Sequence, residues 1–397
     1  MNKSKVVLAF SGGLDTSYCV KYLSQEKKFA VYSAVVNTGG FSQAELDEIE
    51  KRAKLLGVDD HVCLEQTTEF YNHVVKYLIY GNVLKNSTYP LSVSAERVYQ
   101  AIALAEYARE IGANYIAHGS TGAGNDQVRF DLIFSLIAPE IEILTPIRDQ
   151  KLSREEEIDY LAQYGFHIDW QKAKYSVNKG LWGTSVGGAE TLTSDQPLPE
   201  SAFPTQLSAN QPLQITLSFK KGEVCALNGN HSEPVEIIQA LEKTAGKYAI
   251  GRDIHVGDTI IGIKGRVGFE AAAASIIIKA HQTLEKHTLS KWQMHWKEQL
   301  GNWYGMFIHE AQYFEPVMRN IESFLESTQQ YVTGKVMICL HPYRFVIQGI
   351  ASKHDLMNPD FGAYGEMNNH WTADDVKGFT RLLGNQMQIF KKVNSSI

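Results

Sequence analysis

Two short strings in this chain concentrate residue types that do chemistry. The first is Phe10-Ser11-Gly12-Gly13-Leu14-Asp15-Thr16-Ser17. The apolar run Val6-Val7-Leu8-Ala9 leads into it, as a strand buried on both faces would. Asp15, Thr16 and Ser17 are residue types that cap or open helices. The result is a strand, a glycine turn and a helix N-terminus, with backbone N–H groups and the helix dipole aimed at one point. Gly12 and Gly13 let the chain approach a phosphate with no Cβ in the way. The Gly-Lys-Ser/Thr ending of a Walker A loop is missing, so cleavage at a γ-phosphate is not what the string suggests. Two adjacent glycines alone would mark only an ordinary βα turn; the whole string is far more specific.

The second string is His118-Gly119-Ser120-Thr121-Gly122-Ala123-Gly124-Asn125-Asp126-Gln127-Val128-Arg129-Phe130. Its glycines alone would fit a mobile surface loop, but polar recognition groups follow directly. Arg129 has the planar fork that binds a carboxylate through two parallel hydrogen bonds. Asp126 is an acceptor for an ammonium, and Thr121 and Asn125 offer neutral hydrogen bonds. The loop is equipped for a zwitterionic amino acid beside a nucleotide.

The elements that must position these strings alternate. Strands are expected at 6–10, 29–37, 61–64 and 115–117. Helices are expected over 18–25, 45–56 (closed by Gly57) and 94–111 (followed by Gly112), and from a Ser153/Glu156 capping box to about Gly165. This order predicts an α/β fold whose N-terminal half is a parallel sheet with helices on both faces. Ligands then sit at the carboxyl ends of the strands, so Phe10, Asn37 and Ala117 should face one crevice. The texture changes after residue 168. Residues 169–211 read as a long irregular crossing. Beyond them come a hairpin (213–219 and 223–227), a helix over 236–245 stopped by Gly246 and a strand at 259–264. Helices over 271–284 and 315–328 follow, then a hairpin (335–340 and 344–350) around His341-Pro342 and a helix from Thr372. This half reads as α+β. The expected division is a nucleotide-binding domain over 1–168, an α+β domain over 169–365 and a C-terminal helical arm over 366–397. Core is the expected place for each of Trp292, Trp296, Trp303, Tyr304, Met306 and Phe307, with a subunit interface as the alternative.

Composition narrows the function classes. The 397 residues carry 38 Lys and Arg against 44 Asp and Glu, a formal charge of −6. That balance argues against a large nucleic-acid surface. Cys19, Cys63, Cys225 and Cys339 are far apart and form no C-x-x-C pair, so neither zinc nor dithiol redox chemistry is indicated. They read as buried thiols of a reducing compartment. The chain goes straight into its first strand and has no apolar run of membrane-spanning length, so the expectation is a cytoplasmic protein.

The string at 11–17 resembles the pyrophosphate-binding loop of the N-type ATP pyrophosphatases, which split ATP into AMP and pyrophosphate. Together with the string at 118–130, it resembles the argininosuccinate synthase family. Three further segments fall in matching order: Tyr89-Pro90-Leu91 with Ser94 and Arg97, Tyr175-Ser176 followed by Leu181-Trp182-Gly183-Thr184-Ser185, and Gly251-Arg252 with Ile261-Gly262-Ile263-Lys264. The resemblance covers nearly the whole chain. It implies an enzyme that joins citrulline and aspartate at the expense of ATP, taken as its Mg²⁺ complex, with no tightly bound cofactor. ATP would be bound by Ala9, Phe10, Ser11, Gly12, Gly13, Leu14, Asp15, Thr16, Ser17, Val36 and Gly119. Thr121, Asn125 and Asp126 would bind aspartate, with Asp126 also the candidate for steering the reacting amine. Tyr89, Ser94, Asn125, Arg129, Ser176 and Ser185 would bind citrulline. A homotetramer is implied as well, with the amphipathic C-terminal helix (Val376, Phe379, Leu382, Leu383 and Met387) as an arm between subunits.

The sequence departs from the family pattern in places. Ala123 stands where Lys is common, and Asn178-Lys179-Gly180 replaces a usual Asp-Glu-Asn. Gly257 stands where the family places a Glu on citrulline, and Phe269 where it places a Tyr. The missing carboxylate leaves two expectations open: another acid reaches the α-amino group, or the enzyme accepts an N-acylated citrulline. The rivals are weaker. A tRNA-modifying pyrophosphatase would call for a catalytic cysteine or a basic RNA surface. An amidotransferase would call for a glutaminase cysteine. A nucleotide-sensing module would leave residues 118–130 unexplained.

Overall fold

Val6, Val7 and Leu8 are all fully buried in the first strand, but they belong to different cores. Val7 packs into one hydrophobic cluster, and Val6 and Leu8 into another. That alternation is what a strand covered on both faces requires. The structure, a computed structural model, describes residues 3–167, 175–357, 360, 362, 364–366 and 370–395.

The N-terminal strands are β1 (Lys5–Ala9), β2 (Ala30–Asn37), β3 (Asp60–Glu65), β4 (Tyr115–Ala117) and β5 (Glu142–Leu144). They form a parallel sheet in the order β3-β2-β1-β4-β5. The strand order reverses beside β1, which opens a crevice at the carboxyl ends of β1 and β4. Helix Gln43–Leu56 starts in a Ser42/Glu45 capping box and ends at Gly57, whose φ is 79°. Helix Arg154–Gln163 starts in the expected Ser153/Glu156 box. Helix Leu14–Lys21 continues as a wider π-type turn over Tyr22–Glu26.

The remaining strands are β6 (Ser176–Gly180), β7 (Gly183–Gly187), β8 (Leu213–Lys220), β9 (Glu223–Leu227), β10 (Asn230–His231), β11 (Arg252–Asp258), β12 (Lys264–Glu270), β13 (Gly334–His341) and β14 (Arg344–Ala351). They form two antiparallel sheets, β10-β9-β8-β13-β14 and β11-β12-β7-β6. Both expected hairpins are present. Two expectations about the strands fail. Part of the segment read as irregular is the β6–β7 hairpin; its residues 169–174 lie outside the described residues. Its strands are rich in Gly and polar residues, and pairing of β7 with β12, far along the chain, holds them. The strand expected at 259–264 is the turn between β11 and β12. There Gly262 has φ +85° and its N–H donates to the Thr259 carbonyl at 2.9 Å, while Ile261 and Ile263 are exposed.

One core cluster runs across both halves of the chain, from Ala103 and Leu104 to Ile276 and Leu325. A buried polar network crosses with it. Lys297 Nζ donates to the Tyr80 carbonyl at 2.5 Å and lies 2.9 Å from Glu285 Oε2. Glu285 also accepts from Asn82 Nδ2 and Gln329 Nε2, whose side-chain oxygens face the two ring nitrogens of His281. Next to this network the backbones touch: a Cβ on Gly301 would lie 2.4 Å from the Gly81 carbonyl oxygen.

Helix Lys291–His309 corrects the expected core. Tyr304 is fully buried, but Trp292, Trp296 and Trp303 are all more than half exposed. The expectation of buried thiols holds for Cys19 and Cys339; Cys63 is exposed and Cys225 half-buried. Helix Ala373–Asn394, capped by Thr372, buries none of its residues, so Phe379, Leu383 and Phe390 face solvent. No described helix is long and apolar enough to cross a membrane.

Candidate active site

The phosphate-type loop is built on its own backbone. Phe10 N–H donates to the Ala34 carbonyl at 2.9 Å, which fixes the end of β1 against β2. The Gly13 carbonyl collects the Ser17 N–H, the Ser17 hydroxyl at 2.7 Å and the Thr16 hydroxyl at 3.2 Å. Arg52 donates to the Gly12 carbonyl at 2.6 Å. The two glycines serve different ends. Gly12 has φ +74°, and its missing Cβ faces Ile49 and Arg52. Gly13 has an ordinary φ of −75°, and only the Ser11 hydroxyl lies near its missing Cβ. Gly12 is therefore needed for the turn, and Gly13 leaves space for a ligand. Below the loop, burial together with the neighbouring Asp15 raises the Glu157 carboxyl to about 8.

Residues 118–130 meet this loop from β4. A Cβ on Gly119 would lie 3.3 Å from Asp15 Cβ, so the two loops are in contact. The Ser120 N–H donates to His118 Nδ1 at 3.2 Å, which leaves Nε2 to donate to Asp131 at 2.9 Å. Asn125 Oδ1 accepts from the Ile260 N–H at 2.9 Å and so ties the loop to the β11–β12 turn. Asp126 opens helix Asp126–Ile137 between two arginines, with Oδ2 at 3.0 Å from Arg97 Nε and Oδ1 at 2.9 Å from Arg129 Nη1. Burial alone would raise its carboxyl, but Arg97 and Arg129 outweigh that and hold it below the usual range.

Arg129 differs from its sequence reading. It is buried, and its Nε and Nη2 both donate to the His309 carbonyl, at 3.1 and 3.0 Å. The two-point contact expected for a substrate carboxylate is made to this backbone oxygen, 180 residues along the chain.

One cavity of about 1200 Å³ gathers the residues singled out from the sequence. Ala9, Phe10, Ser11, Gly13, Leu14, Asp15, Thr16, Val36 and Gly119 line its phosphate-loop end. Thr121, Asn125, Asp126, Arg129, Tyr89, Ser94, Ser176 and Ser185 line the rest. Gly12 and Ser17 lie behind the wall, the Ser17 hydroxyl turned back onto Gly13. Among the described residues, no three His, Cys, Asp or Glu side chains gather into a metal-binding group.

The far wall includes residues that the sequence reading did not single out as ligands: His255, Asp258, Gly265, Arg266, Val267 and His309. The His255 ring stacks on Tyr89 with centroids 5.2 Å apart, and Tyr89 also meets Phe269 at 5.3 Å. His255 Nδ1 is buried without a hydrogen-bond partner. Burial and the nearby Lys85 lower the pKa of this imidazole. His255 and Gly257 share a strand face by their spacing of two. A strand read at 259–264 hides that signal, because the observed strand is Arg252–Asp258.

Comparison with known proteins agrees with this construction. Residues 5–167 match the family model described as the arginosuccinate synthase N-terminal HUP domain, and residues 175–390 match that of the arginosuccinate synthase C-terminal domain. The argininosuccinate synthase of Dictyoglomus thermophilum is 37% identical over 392 residues, covering 98% of each chain. That of Methanocaldococcus jannaschii is 35% identical over 388 residues, covering 97% of each. That of Xanthomonas campestris is 35% identical over 406 residues, covering 99% of this chain and all of its own. With both family models matched and relatives this similar from end to end, the chain belongs to the argininosuccinate synthase family.

Proposed function

We propose that the enzyme condenses citrulline with aspartate to argininosuccinate and converts ATP to AMP and pyrophosphate, as a ligase of arginine biosynthesis. The observation that carries this reading is the single cavity running from the glycine loop at Ser11 and Gly13, past the polar loop at Thr121–Asp126, to the serines of β6 and β7. A ureido carbon is a poor electrophile, and adenylation turns its oxygen into a leaving group. The ureido oxygen of citrulline attacks the α-phosphorus, and pyrophosphate leaves toward the loop N–H groups and the N-terminus of helix Leu14–Lys21. Mg²⁺ taken with ATP would offset charge on the pyrophosphate. The aspartate amine then attacks the ureido carbon, AMP leaves with the bonding pair, and the amine gives up a proton.

Holding three substrates in one cavity supplies much of the acceleration. In this reading ATP lies along residues 9–17, Val36 and Gly119, aspartate at Thr121, Asn125 and Asp126, and citrulline among Tyr89, Ser94, Asn125, Arg129, Ser176 and Ser185. The two arginines that hold Asp126 ionised also make it a weak base. It therefore draws in and orients the ammonium of aspartate rather than taking its proton. Arg129 supports the citrulline side through Asp126 and the His309 carbonyl.

The domain division at about residue 168, the cytoplasmic setting and the homotetramer belong to the same reading. For the tetramer, the support in this chain is helix Ala373–Asn394, with its exposed apolar side chains. The deciding assay is pyrophosphate release from MgATP with aspartate and a citrulline, each omitted in turn. Release is expected to need ATP and the citrulline, and argininosuccinate to need all three; release indifferent to the amino acids would overturn the reading. A chain cut before Thr372 is expected to fall to smaller species in light scattering, and a stable tetramer would free the helix of that role.

A further inference from the structure

The end of the cavity away from the phosphate loop holds hydrogen-bonding and charge capacity that the protein does not use. In the ligase reading, on which this inference rests, the ureido oxygen must reach the α-phosphate, so the α-carbon end of the substrate points toward Tyr89, His255 and Gly257. A free α-ammonium there would need a carboxylate. The acids lining this end are Asp126 and Asp258. Asp126, held between Arg97 and Arg129, is the acid that meets the ammonium of aspartate in that reading, and Asp258 pairs with Lys264 at 2.7 Å.

The cations nearby are less committed. Lys85 is half-buried and makes no ion pair among the described residues, and the acids that act on it, from a distance, are Glu310 and Asp258. His255 is 95% buried, as its 5% exposure gives, and its Nδ1 has no partner. Its ring lies across Gly257, where a Cβ would stand 2.5 Å from Nε2. Gly257 is the register partner of Gly265, and both line the cavity; the His255 ring and the Asn86 amide fill the space over Gly257, whereas a Cβ on Gly265 would meet only Thr259, at 3.6 Å. Phe269 closes the site behind Tyr89 as an apolar surface.

We propose that the substrate adenylated here is a citrulline acylated on its α-nitrogen, and that an acyl chain ending in a carboxylate suits the pocket best. Acylation removes the charge that would face Lys85 and Arg129 with no free carboxylate to meet it. The amide carbonyl gives the buried imidazole of His255 an acceptor for a ring N–H. The wall at Gly265, which carries no side chain, leaves width for the acyl chain, and a terminal carboxylate gives Lys85 a counter-ion. The chemistry at the ureido group is unchanged.

The test uses the full chain and pyrophosphate release with MgATP, aspartate and one of citrulline, N-acetylcitrulline or N-succinylcitrulline. The expected order of kcat/KM is succinyl above acetyl above free citrulline, with about tenfold or more between the first and the last. Free citrulline equal to or better than both acyl forms overturns the inference and leaves the ligase reading standing. Pyrophosphate from none of the three overturns the ligase reading itself, and this inference with it. Lys85→Met is expected to erase the preference for succinyl over acetyl; a preference that survives it overturns the pairing of the acyl carboxylate with Lys85.

Discussion

Two buried clusters of polar side chains in this protein look alike by composition and differ in how far they are satisfied. Between helices Ala272–Thr288 and Lys291–His309, the ammonium of Lys297, the carboxylate of Glu285, the imidazole of His281 and two side-chain amides all have partners within the protein. At the far wall of the cavity, the imidazole of His255 is also buried but keeps an unpartnered nitrogen, and Lys85 near it makes no ion pair among the described residues. Burial of polar groups does not mark a site, because both clusters are buried. Unused hydrogen-bonding capacity at a cavity wall does, since folding rarely leaves it; the unpartnered Oε1 of Glu96 lies outside that lining. Arg129 stands between the two cases: it lines the cavity, yet each nitrogen of its fork has a partner in the protein.

Substitutions can break or sharpen this contrast. The largest effect is expected from Lys297→Met. It leaves Glu285 buried with only amide donors, and losing one member of a buried pair costs about 3–5 kcal/mol. Urea denaturation measures it, and a loss below about 1 kcal/mol would place the network among dispensable contacts. Arg129→Lys comes next, because a lysine cannot span Asp126 and the His309 carbonyl together. Stability should fall by about 1–3 kcal/mol and kcat by about tenfold or more, while the KM for ATP holds. A loss of ATP affinity instead would move Arg129 to the nucleotide end.

A pH-dependent effect concerns Glu96, which is buried with Oε1 unpartnered. Burial pushes its carboxyl up to about 8 against the pull of Arg97, the Leu181 N–H and the Thr38 hydroxyl. A folded pKa raised above the unfolded value of about 4.3 gives stability that is complete below the lower value and is lost as pH rises toward the higher. Glu96→Gln removes that titration. Between about pH 5 and pH 8 the parent should lose about 1 kcal/mol or more relative to the variant; parallel pH profiles would show that Glu96 is not protonated in the folded state.

What the sequence revealed follows from the range of the interactions involved. The glycine loop and the string at 118–130 were legible because a strand end, a turn and a helix start sit within a few residues. β6 and β7 were not, because their polar, Gly-rich strands depend on β12, about 80 residues away. Arg129 was visible as a functional residue, but its main acceptor, the His309 carbonyl, could not be found by any local pattern. The indole side chains of helix Lys291–His309 misled in the opposite sense: size and apolarity suggested core, but only the position relative to Tyr304 decides which face is buried. The departure at Gly257 was readable from the resemblance. That His255 lies over it, and that Lys85 stands unpaired nearby, required the fold.

The contact between Gly81 and Gly301 bears on how the protein comes apart. With no side chain on either glycine, the seam has backbone against backbone, and the ion pair of Lys297 and Glu285 lies directly beside it. Separating the two halves would take the Tyr80 carbonyl and the Asn82 amide from that pair and open a core they share. Melting of either half alone is therefore disfavoured, while helix Ala373–Asn394, which buries none of its residues, is free to open without it.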